Sequence, residues 1–161
     1  IDGNGAHGVL ATGSNVSVID SVLVNNGGNG LYVTSTVPIT RVFRHNTVVN
    51  NGGGAVCTGS EGVVTIERSL FSHPDATEVS GCTVAATSDV PGMADACGDG
   101  TAAPAFVDAA GGDYHLDATS ACIDKVACDG TTLVDFDGDG RPVGSMCDVG
   151  ADEALPSSGS D

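Results

Sequence analysis

The 161-residue chain has no tryptophan, aromatic side chains make up only 4% of it, and lysine and arginine together number five. Glycine and proline supply 30 residues (24 and 6), so a helical bundle, which needs Leu, Ala, Glu and Lys in bulk, is excluded by composition. The shortage of bases and the net charge of −16 exclude a nucleic-acid binder, because phosphate contacts require clustered Lys and Arg. Charged residues are only 16%, too few for an acidic disordered tail. There is no run of about 18 apolar residues, so no helical membrane span is expected. The length suits one domain.

What is present is unevenly placed. Residues 1–74 hold four acids (Asp2, Asp20, Glu61, Glu67) against three arginines (Arg41, Arg44, Arg68), whereas 75–161 hold 17 acids against Lys125 and Arg141. All eight asparagines lie at or before Asn51, and five of the six cysteines lie after position 75. Two regions of different composition share the chain: 1–74, and 75–153 followed by a Pro/Ser/Gly-rich flexible tail at 154–161.

The first region is repetitive. Gly8-Val-Leu-Ala-Thr-Gly-Ser14, Gly30-Leu-Tyr-Val-Thr-Ser-Thr36 and Gly54-Ala-Val-Cys-Thr-Gly-Ser60 align, with starts 22 and 24 residues apart. Ser21-Val-Leu-Val-Asn25, Asn46-Thr-Val-Val-Asn50 and Ser69-Leu-Phe-Ser-His73 follow in the same order, 25 and 23 apart. Short β-branched runs between Gly-, Asn- and Ser-rich corners read as strands rather than helices. A strand-only repeat of this period, without a leucine-rich pattern, suits a coil of a parallel β-helix. The fold class expected is therefore all-β, a right-handed parallel β-helix of about three coils with an irregular, disulfide-stapled C-terminal cap.

Stacking the repeats predicts columns of equivalent residues. Val18, Phe43 and Ile66 form one apolar column and Ala11, Val33 and Cys57 another; Thr12, Thr34 and Thr58 form a hydroxyl column, and Ser21, Asn46 and Ser69 a polar corner. Asparagine fits corners because it tolerates left-handed backbone. The glycines at 27, 28, 30 and 52–54 are expected to supply positive φ. The opening Asp2-Gly-Asn-Gly-Ala-His-Gly8 matches the corner Asn26-Gly-Gly-Asn-Gly30. The chain is thus expected to be the C-terminal piece of a longer one, or a stack whose N-terminal coil is open and able to stack on another chain.

From position 82 the repeat gives way to Ala85-Ala-Thr-Ser-Asp-Val90, Ala103-Pro-Ala-Phe-Val-Asp108, Gly112-Asp-Tyr-His-Leu116 and Ser120-Ala-Cys-Ile-Asp124. It closes with Asp135-Phe-Asp-Gly-Asp-Gly-Arg-Pro142 and Cys147-Asp-Val-Gly-Ala-Asp-Glu153. In this order and spacing the chain, over 8–153, resembles the C-terminal region of secreted bacterial right-handed parallel β-helix proteins of the choice-of-anchor type, similar in fold to pectate lyases. The resemblance implies a last coil followed by a cap over the end of the stack. It implies no single chemistry, since lyases, epimerases, adhesins and tailspikes share the fold.

Six cysteines in such a chain point to disulfides rather than zinc, which needs a tight Cys/His cluster. The resemblance implies Cys128–Cys147; Cys82–Cys97 is expected next, leaving Cys57–Cys122 as the remainder. Asp135-x-Asp-x-Asp-Gly140 has the first half of a calcium loop, making Asp135, Asp137 and Asp139 candidate ligands of a structural calcium ion. The twelfth EF-hand position would be Met146, which excludes an EF-hand; Asp148 or Glu153 would have to complete the set. The bland alternative is an acidic turn neutralised by Arg141.

Asp20, His45 and Arg68 share one column, with Arg44 and Glu67 in the next. Arginine and histidine beside carboxylates on a β-helix face resemble what a uronate lyase uses, a base for the proton beside the sugar carboxylate and cations to neutralise it. Arg44, His45 and Arg68 are the catalytic candidates on that reading; the alternative is a cross-strand ladder of opposite charges. The net charge opposes a polyanionic substrate unless calcium bridges it. In Gly112-Asp-Tyr-His-Leu116, Tyr114 and Leu116 should point inward and His115 outward. His7 and His73 sit in corners, and Asn15-Val-Ser17 fits a glycosylation sequon.

The function expected first is an extracellular or cell-surface scaffold or binding module that faces polysaccharide without catalysis of its own. The alternatives are a polysaccharide lyase or epimerase on uronate-containing glycans and a self-assembling filament protein.

Overall fold

A computed structural model describes residues 1–13, 15–37, 39–59, 62–72, 79–90, 93–98 and 104–155. Ser60, Glu61, His73, Ala103 and positions 156–161 of the expected tail lie outside the described residues. Among these residues the chain is mostly β, with no α-helix; one 3-10 turn spans Ala109–Gly111. Among the described residues no helix is long and apolar enough to cross a membrane.

The strands are β1 (Val9–Thr12), β2 (Val18–Val24), β3 (Asn29–Thr34), β4 (Ile39–Val49), β5 (Gly53–Thr58), β6 (Gly62–Glu67) and β7 (Leu70–Ser72). They continue as β8 (Val79–Ser80), β9 (Thr83–Val84), β10 (Asp89–Val90), β11 (Ala94–Asp95), β12 (Phe106–Asp108) and β13 (Asp113–Leu116). One sheet has the order β1-β3-β5-β8, wholly parallel. In the second, β4 pairs in parallel with β2, β6 and β7; β9 adds to β6 and β10 to β7, before β11 closes it antiparallel. β12 and β13 form a separate antiparallel pair.

The registers reproduce the repeat. Val18 stands opposite Phe43 and Phe43 opposite Ile66; Ala11 opposite Val33 and Val33 opposite Cys57; Thr12, Thr34 and Thr58 share a row. At the corners, each polar side chain accepts the backbone amide one repeat earlier. Asn46 Oδ1 takes Ser21 N (3.1 Å), Ser69 Oγ takes Asn46 N (3.2 Å) and Ser88 Oγ takes Ser69 N (3.3 Å). A second ladder runs from Asn4 to Asn26 to Asn51, side chain to side chain at 2.9 and 2.7 Å. These bonds satisfy the buried polar backbone where the chain changes direction and the strand ladder is interrupted.

Asn25 and Asn50 adopt the expected left-handed backbone, with φ of 55° and 52°. The glycines at 27, 28, 30 and 52–54 do not: none has positive φ. At Gly27, Gly28, Gly30 and Gly52 the cause is crowding. A Cβ on Gly30 would lie 2.4 Å from Val48 Cγ1, and one on Gly52 would lie 2.3 Å from the Gly27 carbonyl.

The main core lies between the two large sheets, where Leu23, Val48 and Phe71 meet Leu31 and Ala55, with Phe43 and Ile66 alongside. Their neighbours Val24, Val49 and Leu70 point the other way, into a second core with Tyr114, Leu116, Val126, Val149 and the cysteines at 97, 122 and 147. This part of the second sheet is therefore buried on both faces. That explains the unbroken apolar runs Val22-Leu-Val24 and Val48-Val49 where alternation would otherwise be expected. Inward Tyr114 and Leu116, and a half-exposed His115, follow the expected alternation.

The disulfides are Cys57–Cys82, Cys97–Cys122 and Cys128–Cys147. Cys128–Cys147 is the pair named above, but Cys82–Cys97 and Cys57–Cys122 are not formed. Cys57, on β5, lies one repeat before Cys82, which follows the paired strand β8, so their Cα atoms are 5.1 Å apart. Cys97 and Cys122 lie beyond the repeat, in the second core, with Cα atoms 4.4 Å apart. Cys82 and Cys97 are too close in sequence to be one repeat apart. Each bond closes a loop for which chain entropy gives about 3 kcal/mol of stabilisation. Three such bonds require an oxidising compartment to form.

Candidate functional site

Asp20, His45 and Arg68 do occupy one column, and all three carry left-handed backbone, with φ of 46°, 49° and 49°. At His45 the long strand β4 bends, so its first half pairs with β6 and its second with β7. Asp and His enter this region more readily than most residues, but arginine does not, so at Arg68 the corner is fixed by its surroundings rather than by local preference.

Those surroundings are the chain's own residues 127–151. Arg44 pairs with Glu67 at 3.3 Å, reaches the Asp129 carboxylate and donates to Thr131 Oγ1 at 3.0 Å. Arg68 Nε donates to the Ala127 carbonyl at 2.9 Å, and its guanidinium pairs with Glu67 at 3.2 Å. The Gly150 amide donates to the Arg68 carbonyl and the Ala151 amide to Thr47 Oγ1, both at 2.9 Å. Arg141, itself fully buried, pairs with Glu153 at 2.8 Å and Asp20 at 3.5 Å and donates to the Gly150 and Ala151 carbonyls.

His45 lies under this cover with 0% exposure, and neither ring nitrogen has a hydrogen-bond partner. Burial, reinforced by the charge of Arg141, lowers its pKa to about 3, so the ring is neutral. Burial also raises Asp20 to about 6, with Arg141 opposing the shift. Asp129 is shifted the other way. Burial works against ionisation, but the Thr132 and Thr131 amides, the Thr131 hydroxyl and Arg44 hold its carboxyl well below the usual range. Arg44, His45 and Arg68 are thus adjacent, as the column predicts, but they do not line an open cleft; the opposite-charge ladder is the arrangement formed.

The second candidate is the loop after Val134, whose bridge to Gly140 makes a tight turn. Asp135, Asp137 and Asp139 each offer an oxygen within 4.8 Å of the others, the donor type a hard cation takes. Asp135 Oδ1 accepts the amides of Asp137, Gly138 and Asp139, and its Oδ2 accepts the Glu153 amide at 3.0 Å. Asp148 and Glu153 do not complete the set. Asp148 accepts the Asp124 and Ala154 amides, and Glu153 accepts the Val143 and Asp148 amides besides Arg141. The loop fits calcium in donor chemistry, with its remaining ligands still to be supplied.

Sequence reasoning missed His115 here. Its Nε2 lies 2.9 Å from Asp137 Oδ2 and its Nδ1 2.6 Å from Asp113 Oδ1. The Asp137 bond, opposed by burial and aided by Asp113, raises the imidazole to about 9. The ring is therefore cationic at neutral pH and occupies one oxygen of Asp137. With Asp137 and Asp152 it forms a further convergent group. Twenty-two residues separate His115 from Asp137, and no local motif signals the contact.

Compared with known proteins, the chain matches no family model, no curated protein and no solved structure.

Proposed function

We propose that the chain is a short right-handed parallel β-helix of about three coils, closed at one end by a cap within 75–153, which serves as a non-enzymatic extracellular or cell-surface module facing glycans. Parallel pairing at the repeat period supports the helix, and the near-universal right hand of parallel crossovers supports its handedness. The three disulfides support export to an oxidising setting. A structural calcium ion on Asp135, Asp137 and Asp139 belongs to the same proposal, supported by their convergent oxygens.

One observation carries the non-catalytic reading. The arginines and histidine that a uronate lyase would turn toward substrate are engaged with, or buried beneath, residues 127–151. A buried neutral imidazole has no path to a sugar proton, and Arg44 already has two carboxylate partners. The test is incubation with uronate polysaccharides, with calcium and with chelator, followed by unsaturated-sugar absorbance and polymer length. Unchanged polymers are expected. Shortening that disappears in Arg68→Ala or His45→Ala would establish the lyase alternative instead.

A further inference from the structure

The sheet β1-β3-β5-β8 differs in kind from the rest of the molecule. Its strands read VLAT, NGLYVT, GGAVCT and VS, without one Asp, Glu, Lys or Arg, in a chain of net charge −16. The second large sheet carries Asp20, Arg41, Arg44 and Glu67 in its strands. Alternation sends Ala11, Leu31, Val33 and Ala55 into the core. It leaves Leu10, Tyr32 and Val56 in one outward row and Thr12, Thr34 and Thr58 in the next. Leu10 is 63% exposed, and Thr12 and Thr58 are exposed. The C-terminal residues that cover the other sheet make their contacts there, through Arg44, Thr47 and Arg68.

Tyr32 is set as a platform. The His7 ring stacks on it at 4.6 Å between centroids and 21° between planes. His7 Nδ1 accepts the Asn29 amide at 2.9 Å, which fixes the ring against Tyr32. Parallel strands about 4.8 Å apart repeat the same pair of outward groups, one apolar and one hydroxyl, along β1, β3 and β5, and β8 ends the apolar row with Ser80.

From this we infer that the outer face of the sheet β1-β3-β5-β8 is a binding surface for a neutral polysaccharide chain, its sugar C–H faces on Leu10, Tyr32 and Val56 and its hydroxyls on the threonine row. The inference rests on the glycan-facing reading above and names its face and ligand class. A regularly repeating surface suits a regularly repeating polymer, and ring-plus-hydroxyl chemistry suits a ligand that is apolar on one side and polar at its edge. Charge selects the neutral class: these strands hold no cation to pair a uronate, and the overall charge repels a polyanion.

The full chain is tested for retention on cellulose, xylan, mannan and polygalacturonate, in chelator. The variants are Tyr32→Ala and Val56→Asp, with Val107→Ala, at an exposed position on β12, as control; melting of each variant confirms the fold. Retention on at least one neutral polymer is expected, at least tenfold weaker in both face variants, unchanged in the control, and absent on polygalacturonate. No retention on any neutral polymer would overturn the inference. So would retention indifferent to both face variants, or a dimer in sedimentation that Tyr32→Ala dissociates, since the face would then belong to a second copy. Shortening of a retained polymer would overturn the non-catalytic reading alone, and lack of retention with intact polymers would overturn this one alone.

Discussion

Arg141 and Glu153 form an ion pair at 2.8 Å in which the side chains are 0% and 1% exposed. Arg141 simultaneously holds the Gly150 and Ala151 carbonyls, while Glu153 accepts the Val143 and Asp148 amides. The pair is thus the knot that fastens the C-terminal residues to one another and, through Asp20, to the sheet. Removing one partner leaves the other charge buried. Arg141→Ala or Glu153→Ala should each cost about 3–5 kcal/mol in urea unfolding. The double variant Arg141→Met/Glu153→Leu should recover only part, because the carbonyls and amides they served stay orphaned. A double variant as stable as the native chain would contradict this role.

The asparagine ladder should show a gradient from its exposed to its buried end. Asn51 accepts both the amide and side chain of Asn26 and donates to the Leu23 carbonyl at 2.9 Å, all out of solvent. Asn51→Ala should cost about 1–3 kcal/mol for the buried groups left unpaired. Asn4, exposed, should cost less, since water can replace its bonds to Asn26. Equal losses at both positions would refute the ladder account.

Peptide mapping under non-reducing conditions should recover links 57–82, 97–122 and 128–147. The paired replacement Cys57→Ala/Cys82→Ala should lower stability by about 2–4 kcal/mol. A recovered 82–97 link would contradict this connectivity.

Several groups set opposing pH responses. His115, raised to about 9, gives stability that is fully present below the ordinary histidine value of 6.5 and is lost as pH rises through 9. Asp20 and Asp148, both raised to about 6 by burial, favour the fold most below 3.8 and lose that contribution as pH rises through 6. His45, lowered to about 3, works the other way: its contribution is present above 6.5 and fades as pH falls toward 3. The melting temperature should therefore decline between about pH 6.5 and 9 in the native chain, and less so in His115→Gln or Asp137→Asn. A ring titration of His115 near its ordinary value would show that the Asp137 contact is not made.

The repeat was readable because identical corners and β-branched runs impose one register, so the columns of Val18, Phe43 and Ile66 and of Ala11, Val33 and Cys57 follow from alignment alone. The same spacing held the signal for Cys57–Cys82, one repeat apart, whereas Cys97–Cys122 forms in the second core, beyond the repeat. What alignment could not give is the docking of the irregular C-terminal residues. Arg44 meets Asp129 across 85 positions, and nothing in either neighbourhood encodes it. A surface column that looked open in sequence therefore became an interface. Gly30 and Gly52 show a smaller version of the same limit: their need for space comes from a neighbouring repeat, not from their own backbone.

His45 is sealed beneath residues 127–151, and this burial is what separates a covered column from an open cleft. Acylation of imidazoles by diethyl pyrocarbonate, read out residue by residue by mass spectrometry on the folded chain, measures this. His7, partly exposed, should be modified while His45 is not, and His45 should become reactive only when unfolding or Arg141→Ala releases the cover. Modification of His45 in the native chain at the rate of His7 would contradict the account and return the Arg44, His45 and Arg68 surface to the solvent.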